Sequence, residues 1–255
     1  DGWDAAVQYH RLKRVLPFPL RKEVEDRAVR EILKRARAML RHTTRPTQRV
    51  DDHFPADGDL DLDATLEHRL AGHRHSLAVQ RTEQRNADVI AVLDMSLSMT
   101  GDKIALIALA TAILGISLER IGVVHFDTKA HKLVDLRESI NPEELVRRVM
   151  TVPAQGYTNI TSGLRMTART LSRSRLRERC AVLMTDGVAN VGGNPVPAAG
   201  TIPKLHVVQV GADEPRGAKA CRAMANAGHG RHYSAPSYAD LPQIVQQLVR
   251  ECFRG

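Results

Sequence analysis

Residues 89–98 read VIAVLDMSLS: an apolar run that ends in a carboxylate, followed by two hydroxyl side chains at alternate positions. Three more apolar runs lie further along the chain, namely IGVVHF (121–126), CAVLMTD (180–186) and LHVVQVG (205–211). Runs of Val, Ile and Leu without polar alternation are typical of strands that are covered on both faces. Helical patterns separate the runs, and strands alternating with helices predict an α/β fold with a doubly wound, mostly parallel sheet.

Helical periodicity marks five stretches of the same region, at residues 102–117, 142–150, 160–174, 217–227 and 238–252. The short segment 131–136 alternates apolar and polar residues and follows the second apolar run after only a few residues. That connection is too short for the crossover that a parallel pair of strands needs. The sequence therefore predicts one antiparallel edge strand, within a main domain that covers residues 87–255.

The N-terminal part of the chain, residues 1–86, has a different character. Residues 7–39 place apolar side chains at helical spacing among many basic ones, and prolines interrupt the pattern near its start. Polar residues with Pro and Gly follow at 42–59, and a short helix is predicted at 63–71. We therefore expect a small helical segment and a linker ahead of the main domain.

The charge balance favours acidic partners. The 255 residues include 37 Lys and Arg against 29 Asp and Glu, which gives a formal net charge of +8. Only 4% of the residues are aromatic, whereas nucleic-acid surfaces normally interleave aromatics among their cations, so nucleic acid is an unfavoured partner. The basic stretch 165–179 is typical of the solvent-facing side of an amphipathic helix, and a docking surface is its alternative interpretation.

The cysteines indicate a reducing compartment, and we expect a cytoplasmic protein. Cys180, Cys221 and Cys252 are an odd number at wide spacing without a C-x-x-C motif, which argues against a disulfide framework or a thiolate zinc site. No apolar run approaches the roughly 20 residues of a membrane span. The sequence therefore predicts no membrane span.

Oxygen donors follow two of the predicted strands. In open α/β sheets ligands bind beyond the carboxyl ends of the strands, so residues at those ends are the candidates for function. Asp94, Ser96 and Ser98 lie in one turn after the first apolar run, and Asp186 closes the third. Oxygen-only donors of this kind suit a hard cation such as Mg²⁺. Asp94 and the two serines would otherwise only cap the following helix, but capping does not require Asp186 on a different strand.

These residues resemble the metal-ion-dependent adhesion site of von Willebrand factor A (VWA) domains. The resemblance rests on the D-x-S-x-S turn at 94–98, on Thr158 within Gly-Tyr-Thr, and on a strand that ends in Thr-Asp-Gly at 185–187. It covers about two thirds of the chain and implies a Rossmann-like VWA fold. Leu97 departs from the family pattern, which often has glycine there.

The resemblance also implies a role for each residue. Ser96 and Ser98 would coordinate the metal directly, Thr158 would join in the ligand-bound state, and Asp94 and Asp186 would act directly or through water. The expected cation is Mg²⁺, or another divalent cation such as Mn²⁺ or Ca²⁺. An Asp or Glu of a partner protein would complete its coordination.

Two longer segments resemble bacterial adaptor proteins. LMTDGVANVGG (183–193) is similar to a stretch of the magnesium chelatase D subunit, and GDLDLDATLEHRLAG (58–72) is similar to VWA proteins that work beside MoxR-type AAA+ ATPases. These resemblances imply an adaptor for such an ATPase in protein remodelling or in metal or cofactor insertion. No nucleotide-hydrolase, nucleophile-elbow or zinc-protease motif occurs, so we expect a binding module rather than an enzyme. An extracellular adhesion-type VWA domain and an RNA-binding VWA domain are the alternatives.

Overall fold

The structure, a computed structural model, describes residues 2–13, 15–40, 47–52, 59–60, 62–72, 79–84, 87–118, 120–211 and 214–252. The chain forms two compact units. One unit combines Asp1–Thr43 with Asn86–Gly255, and the other is Thr44–Arg85.

The elements are numbered in chain order. The strands are β1 (Thr47–Asp52), β2 (Asp59–Leu60), β3 (Val79–Gln84), β4 (Asp88–Asp94), β5 (Ile121–Phe126), β6 (Ala130–Val134), β7 (Arg179–Thr185), β8 (Leu205–Val210) and β9 (His232–Ala235). The helices are α1 (Gly2–Leu12), α2 (Phe18–Leu40), α3 (Leu62–Leu70), α4 (Asp102–Ser117), α5 (Pro142–Thr151), α6 (Ile160–Leu171), α7 (Val196–Ala199), α8 (Pro215–Ala227) and α9 (Leu241–Cys252).

The larger unit contains a six-stranded sheet in the order β6-β5-β4-β7-β8-β9. Neighbouring strands are parallel except for β5 and β6, which pair antiparallel at one edge. The predicted fold class and its antiparallel edge strand are therefore confirmed. Strand β9, which forms the opposite edge, was not predicted, because its four residues HYSA lack a recognisable apolar run. The side chains of the central strands β4 and β7 are mostly apolar and buried, because helices cover both faces of the sheet.

Each face of the sheet carries its own hydrophobic core. Helices α1, α2, α4, α5 and α9 contribute buried residues to one core, and α6, α7 and α8 contribute to the other. Successive residues of a strand point to opposite faces, so Val89 and Ala91 enter the first core while Ile90 and Val92 enter the second. Two cores of this kind fix the sheet rigidly and hold its carboxyl ends in register.

Helix α4 explains why the N-terminal helices belong to the larger unit. Its sequence, DKIALIALATAILGIS, is apolar on all sides, and twelve of its residues are buried. A helix of this composition must be covered all round. The sheet covers one side, and α1, α2, α5 and α9 pack against the others. Exposing such a helix would cost about 25 cal/mol for each Å² of apolar surface returned to water.

The smaller unit contains a three-stranded antiparallel sheet in the order β1-β3-β2, together with α3. Helix α3 lies where the short helix at 63–71 was predicted, and part of the expected linker at 42–59 is strand β1. Among the described residues of both units, none of the helices combines the length and the apolar character needed to cross a lipid bilayer.

Candidate metal site at the carboxyl ends of the strands

Asp94 ends the central strand β4 and is completely buried. The Thr185 hydroxyl, at the end of neighbouring β7, donates to Asp94 Oδ2 at 2.6 Å. The backbone N–H of Ser96 donates to Asp94 Oδ1 at 3.0 Å. These bonds fix the carboxylate at the junction of two strands.

The turn after Asp94 presents two hydroxyls side by side. Ser96 Oγ and Ser98 Oγ lie 3.2 Å apart, with Ser96 buried and Ser98 exposed. Met95 and Met99 are fully buried in the first core, and they anchor the turn from beneath. Between the serines, Leu97 projects outward with 67% of its surface exposed.

Helix capping does not explain this turn. Helix α4 begins at Asp102, its N-cap is Gly101, and no side chain caps it. Asp94, Ser96 and Ser98 therefore lie upstream of the positions from which a side chain satisfies the first N–H groups of a helix. Their hydroxyl and carboxylate oxygens therefore have no capping role.

Thr158 lies in a loop that joins the other two parts of the site. The N–H of Leu97 donates to Gly156 O at 3.3 Å, which fastens this loop to the serine turn. On the other side, the N–H of Asn190 donates to Thr158 O at 3.1 Å, and Asn190 Oδ1 accepts from the N–H of Thr158 at 3.2 Å. Thr158 is buried, whereas Tyr157 next to it is 64% exposed.

Asp186 directly follows β7, and its carboxylate forms an ion pair with a lysine side chain. The ammonium group of Lys103, in the first turn of α4, donates to Asp186 Oδ2 at 2.9 Å. The backbone N–H of Val188 donates to Asp186 Oδ1 at 3.2 Å. Sequence reasoning missed Lys103, although a lysine just after a D-x-S-x-S turn is a signal that could have been used.

The electrostatics of the site favour the addition of positive charge. Burial raises the pKa of Asp94 to about 6, hydrogen bonds from Ser96 and Thr185 oppose the rise, and the nearby charge of Asp186 adds to it. Burial also raises the pKa of Cys221 to about 12, with further contributions from Asp186 and Asp94. The charge of Asp186 thus disfavours the ionised form of Asp94, and a cation near Asp94 would favour it.

The residue types present fit a hard divalent cation. Carboxylates and hydroxyls are oxygen donors, and three loops bring them to one end of the sheet. The five predicted site residues lie on three loops at the carboxyl ends of the parallel strands. They are Asp94, Ser96, Ser98, Thr158 and Asp186.

A second group of donors lies elsewhere in the larger unit. Among the described residues, the one set of three or more His, Cys, Asp or Glu side chains with ligand atoms within 4.8 Å of each other is Cys180, His206 and Cys252. Cys180 Sγ and Cys252 Sγ are 2.9 Å apart. All three cysteines are buried free thiols. Sequence spacing gave no sign of this group, because its members come from β7, β8 and α9.

The family model and the fold together identify a VWA domain. The family model described as "VWA domain containing CoxE-like protein" matches residues 26–199, which is more than half of the chain. The chain therefore belongs to this family. VWA domains mediate protein interactions, are generally non-catalytic, and often bind a divalent metal at the adhesion site.

Solved structures share the fold at low sequence identity. A von Willebrand factor type A protein from Catenulispora acidiphila is 16% identical with a TM-score of 0.57, over 84% of this chain and 51% of that one. An aerotolerance-related membrane protein from Bacteroides fragilis is 18% identical with a TM-score of 0.56, over 65% of this chain and 100% of that one. Proximal thread matrix protein 1 from the mussel byssus, with a zinc-occupied adhesion-site motif, is 19% identical with a TM-score of 0.55, over 66% and 46%. No curated protein sequence matches the chain.

Proposed function

We propose that this chain is a metal-dependent protein-binding module. Asp94, Ser96, Ser98, Thr158 and Asp186 hold a divalent cation, Mg²⁺ in the first place and Mn²⁺ or Ca²⁺ otherwise. The observation that carries the proposal is the buried Asp94 carboxylate, which lies beside two adjacent hydroxyls and feels the charge of a second carboxylate. Lys103 already pairs with Asp186, but the buried charge of Asp94 is costly unless a further cation compensates it.

The five side chains would contribute different oxygen donors to the cation. Ser96 and Ser98 supply neutral hydroxyl oxygens from one turn, and Thr158 supplies another from the adjoining loop. Asp94 and Asp186 supply the negative charge, either directly or through water. Bound there, the cation supplies a Lewis-acidic position that a carboxylate oxygen can occupy.

The partner is a protein that presents Asp or Glu to the metal. Without the cation, that carboxylate would approach two carboxylates that share a single ammonium group, that of Lys103, and the remaining negative charge would oppose binding. Leu97 and Tyr157 are both exposed beside the site, so they place apolar surface next to the charged contact. Aromatic and aliphatic side chains of this kind exclude water from a central polar contact.

The cellular role we propose is that of a cytoplasmic adaptor for a MoxR-type AAA+ ATPase, in protein remodelling or in metal or cofactor insertion. It is supported by the resemblance of residues 58–72 and 183–193 to bacterial proteins of this kind and by membership of the CoxE-like family. In that role, the proposed site would make partner binding depend on the bound cation.

Calorimetric titration with Mg²⁺ tests the metal site directly. We expect one Mg²⁺ per chain, and we expect Asp94→Asn to weaken binding by about 100-fold or more, because it removes one of two compensating charges. Asparagine keeps an oxygen for the Ser96 N–H, so the turn should survive. The matched control is Asp127→Asn, which alters a carboxylate just after β5 whose Oδ1 accepts the local Lys129 N–H.

The titration has a clear contrary outcome. A parent chain that binds no Mg²⁺, or an Asp94→Asn variant that binds as well as the Asp127→Asn variant, would show that the site holds no metal. A pulldown of the MoxR-type ATPase with Mg²⁺ and with EDTA then tests the partner. Binding that resists EDTA and falls steeply with salt would instead favour a polyanion such as RNA.

A further inference from the structure

Cys180 and Cys252 form a close pair in the core beneath the last helix. Cys180 is in β7, Cys252 is the last residue of α9, and 72 positions separate them in the sequence. Both thiols are buried, with 0% and 1% of their residue surface exposed. Their sulfur atoms are 2.9 Å apart.

That separation is short for two sulfurs that are not bonded. Non-bonded heavy atoms settle at about 3.5 to 4.0 Å, whereas a disulfide bond is about 2.05 Å long. The sulfurs therefore need to approach by less than about 1 Å to bond. The sheet on one side and α9 on the other already hold them in place.

A metal ion fits this pair less well than a disulfide does. Two thiolates on one zinc, each at about 2.3 Å in tetrahedral geometry, would stand about 3.8 Å apart. The third donor, His206, accepts the N–H of Arg231 at Nδ1 at 3.1 Å. Burial lowers the pKa of His206 to about 4, so its ring is neutral and carries its proton on Nε2. A metal at Nε2 would have to displace that proton and move it to Nδ1, where the Arg231 N–H already donates.

We propose that Cys180 and Cys252 are an oxidation site, at which a hydroperoxide converts the two thiols into a disulfide that ties α9 to β7. One sulfur, as thiolate, attacks the peroxide oxygen and becomes a sulfenic acid while the remaining half of the peroxide leaves as water or alcohol. The other thiol displaces the sulfenic oxygen as water and forms the S–S bond. The two sulfurs lose two electrons in total, and the peroxide gains them.

Burial sets when this reaction occurs. It raises the pKa of Cys180, so the reactive thiolate is scarce and the buried thiol reacts slowly. Oxidation requires a brief opening of α9, the last helix of the larger unit. Once formed, the disulfide closes a long loop and restricts the unfolded chain, which stabilises the fold. The site is independent of the proposed metal site.

Cys221 provides an internal comparison. It is buried in the other core, beneath Gly187, and burial raises its pKa as well. Among the described residues it has no sulfur partner. A reagent that oxidises buried thiols indiscriminately would modify Cys221, whereas the proposed site leaves it as a thiol.

The experiment treats the reduced full chain with hydrogen peroxide and maps its peptides without reduction. We expect an intact mass lower by two hydrogen atoms, a cross-linked peptide pair containing Cys180 and Cys252, and a free Cys221. The melting temperature should rise by several degrees and return when dithiothreitol is added. Cys221→Ser should behave as the parent does, and Cys252→Ser should show no peroxide-dependent rise.

The peptide map of the parent decides the outcome even if Cys252→Ser fails to fold. The proposal is wrong if Cys180 and Cys252 stay reduced under conditions that oxidise the same chain in urea. It is also wrong if the cross-link involves Cys221, or if the purified chain holds stoichiometric zinc that protects both thiols.

Discussion

The oxygen donors at the end of the sheet and the sulfur and imidazole groups beneath α9 are built in opposite ways. Asp94, Ser96 and Ser98 come from one turn, and hydrogen-bonded loops bring the other oxygens to them. Cys180 and Cys252 meet only because a helix packs on a sheet. Three of the five residues of the first site are therefore close in the sequence, whereas the second group is assembled entirely by the tertiary fold.

The two regions share one effect of burial but differ in their exposure to solvent. In both, burial pushes titratable groups toward their neutral forms, raising the pKa of Asp94 and lowering that of His206. The oxygen site has a cation, Lys103, beside Asp186 and an exposed rim at Leu97 and Ser98. The sulfur group is sealed in the core. Exchangeable ligands therefore suit the first region, and slow covalent chemistry suits the second.

Gly187→Ala should damage the oxygen site and spare the sulfur pair. Gly187 has a φ of +84°, and a Cβ there would lie 2.5 Å from Gly217 O and 2.6 Å from Cys221 Sγ. Left-handed backbone alone costs about 1 to 2 kcal/mol for a non-glycine residue, and the clash with backbone adds to it. We expect a loss of about 3 kcal/mol or more in the free energy of unfolding in urea, with weaker Mg²⁺ binding because Asp186 is displaced.

Gly193→Ala is the matched control for that substitution. Gly193 has a φ of +71°, but a Cβ there would meet nothing within 4 Å, so only the backbone cost of about 1 to 2 kcal/mol applies. Peroxide should form the Cys180–Cys252 disulfide in both variants. Equal losses of stability would show that the loop after β7 has room to relax, and that packing beneath Asp186 does not position it.

Much of the fold could be predicted because its signals are local. The apolar run at 121–126 and the helical pattern at 102–117 coincide with β5 and α4, since each is bounded by residues that end the pattern. The turn at Asp94 was identified for the same reason. Strand β9 was missed because an edge strand with His232 and Ser234 half-buried shows no apolar run. The pairing of Cys180 with Cys252 depends on where α9 packs, which spacing cannot predict.

His206 should make the sulfur region sensitive to acid. Its pKa falls from 6.5 to about 4 in the fold, because burial disfavours the charged ring. A depressed pKa means that the stability from the neutral ring is complete above about pH 6.5 and is lost as the pH falls toward 4. The loss amounts to about 3 kcal/mol at most.

His206→Asn tests this expectation, because asparagine keeps an oxygen near Nδ1 for the Arg231 N–H. Urea unfolding at pH 7 and at pH 4.5, compared between parent and variant, gives the difference that His206 contributes. The exposed His229 is the control position. A parent and a His206→Asn variant that lose the same stability on acidification would show that His206 is protonated as easily in the fold as in the unfolded chain.

Lys103→Met should change the oxygen site least, and in two directions. The Lys103 ammonium and a bound cation both approach the Asp186 carboxylate, so removing the ammonium should tighten Mg²⁺ binding several-fold. The metal-free chain should lose up to about 1 kcal/mol of stability, because the ion pair is partly exposed and Asp186 would then face Asp94 uncompensated.

Lys129→Met, at an exposed lysine just before β6, is the control for lost surface charge. Magnesium titrations at low and at 0.3 M salt separate the effects, since screening weakens a charge effect at the site far less than one at the surface. Weaker Mg²⁺ binding by Lys103→Met would mean that the lysine orients Asp186 for the metal, and that the two cations do not compete for it.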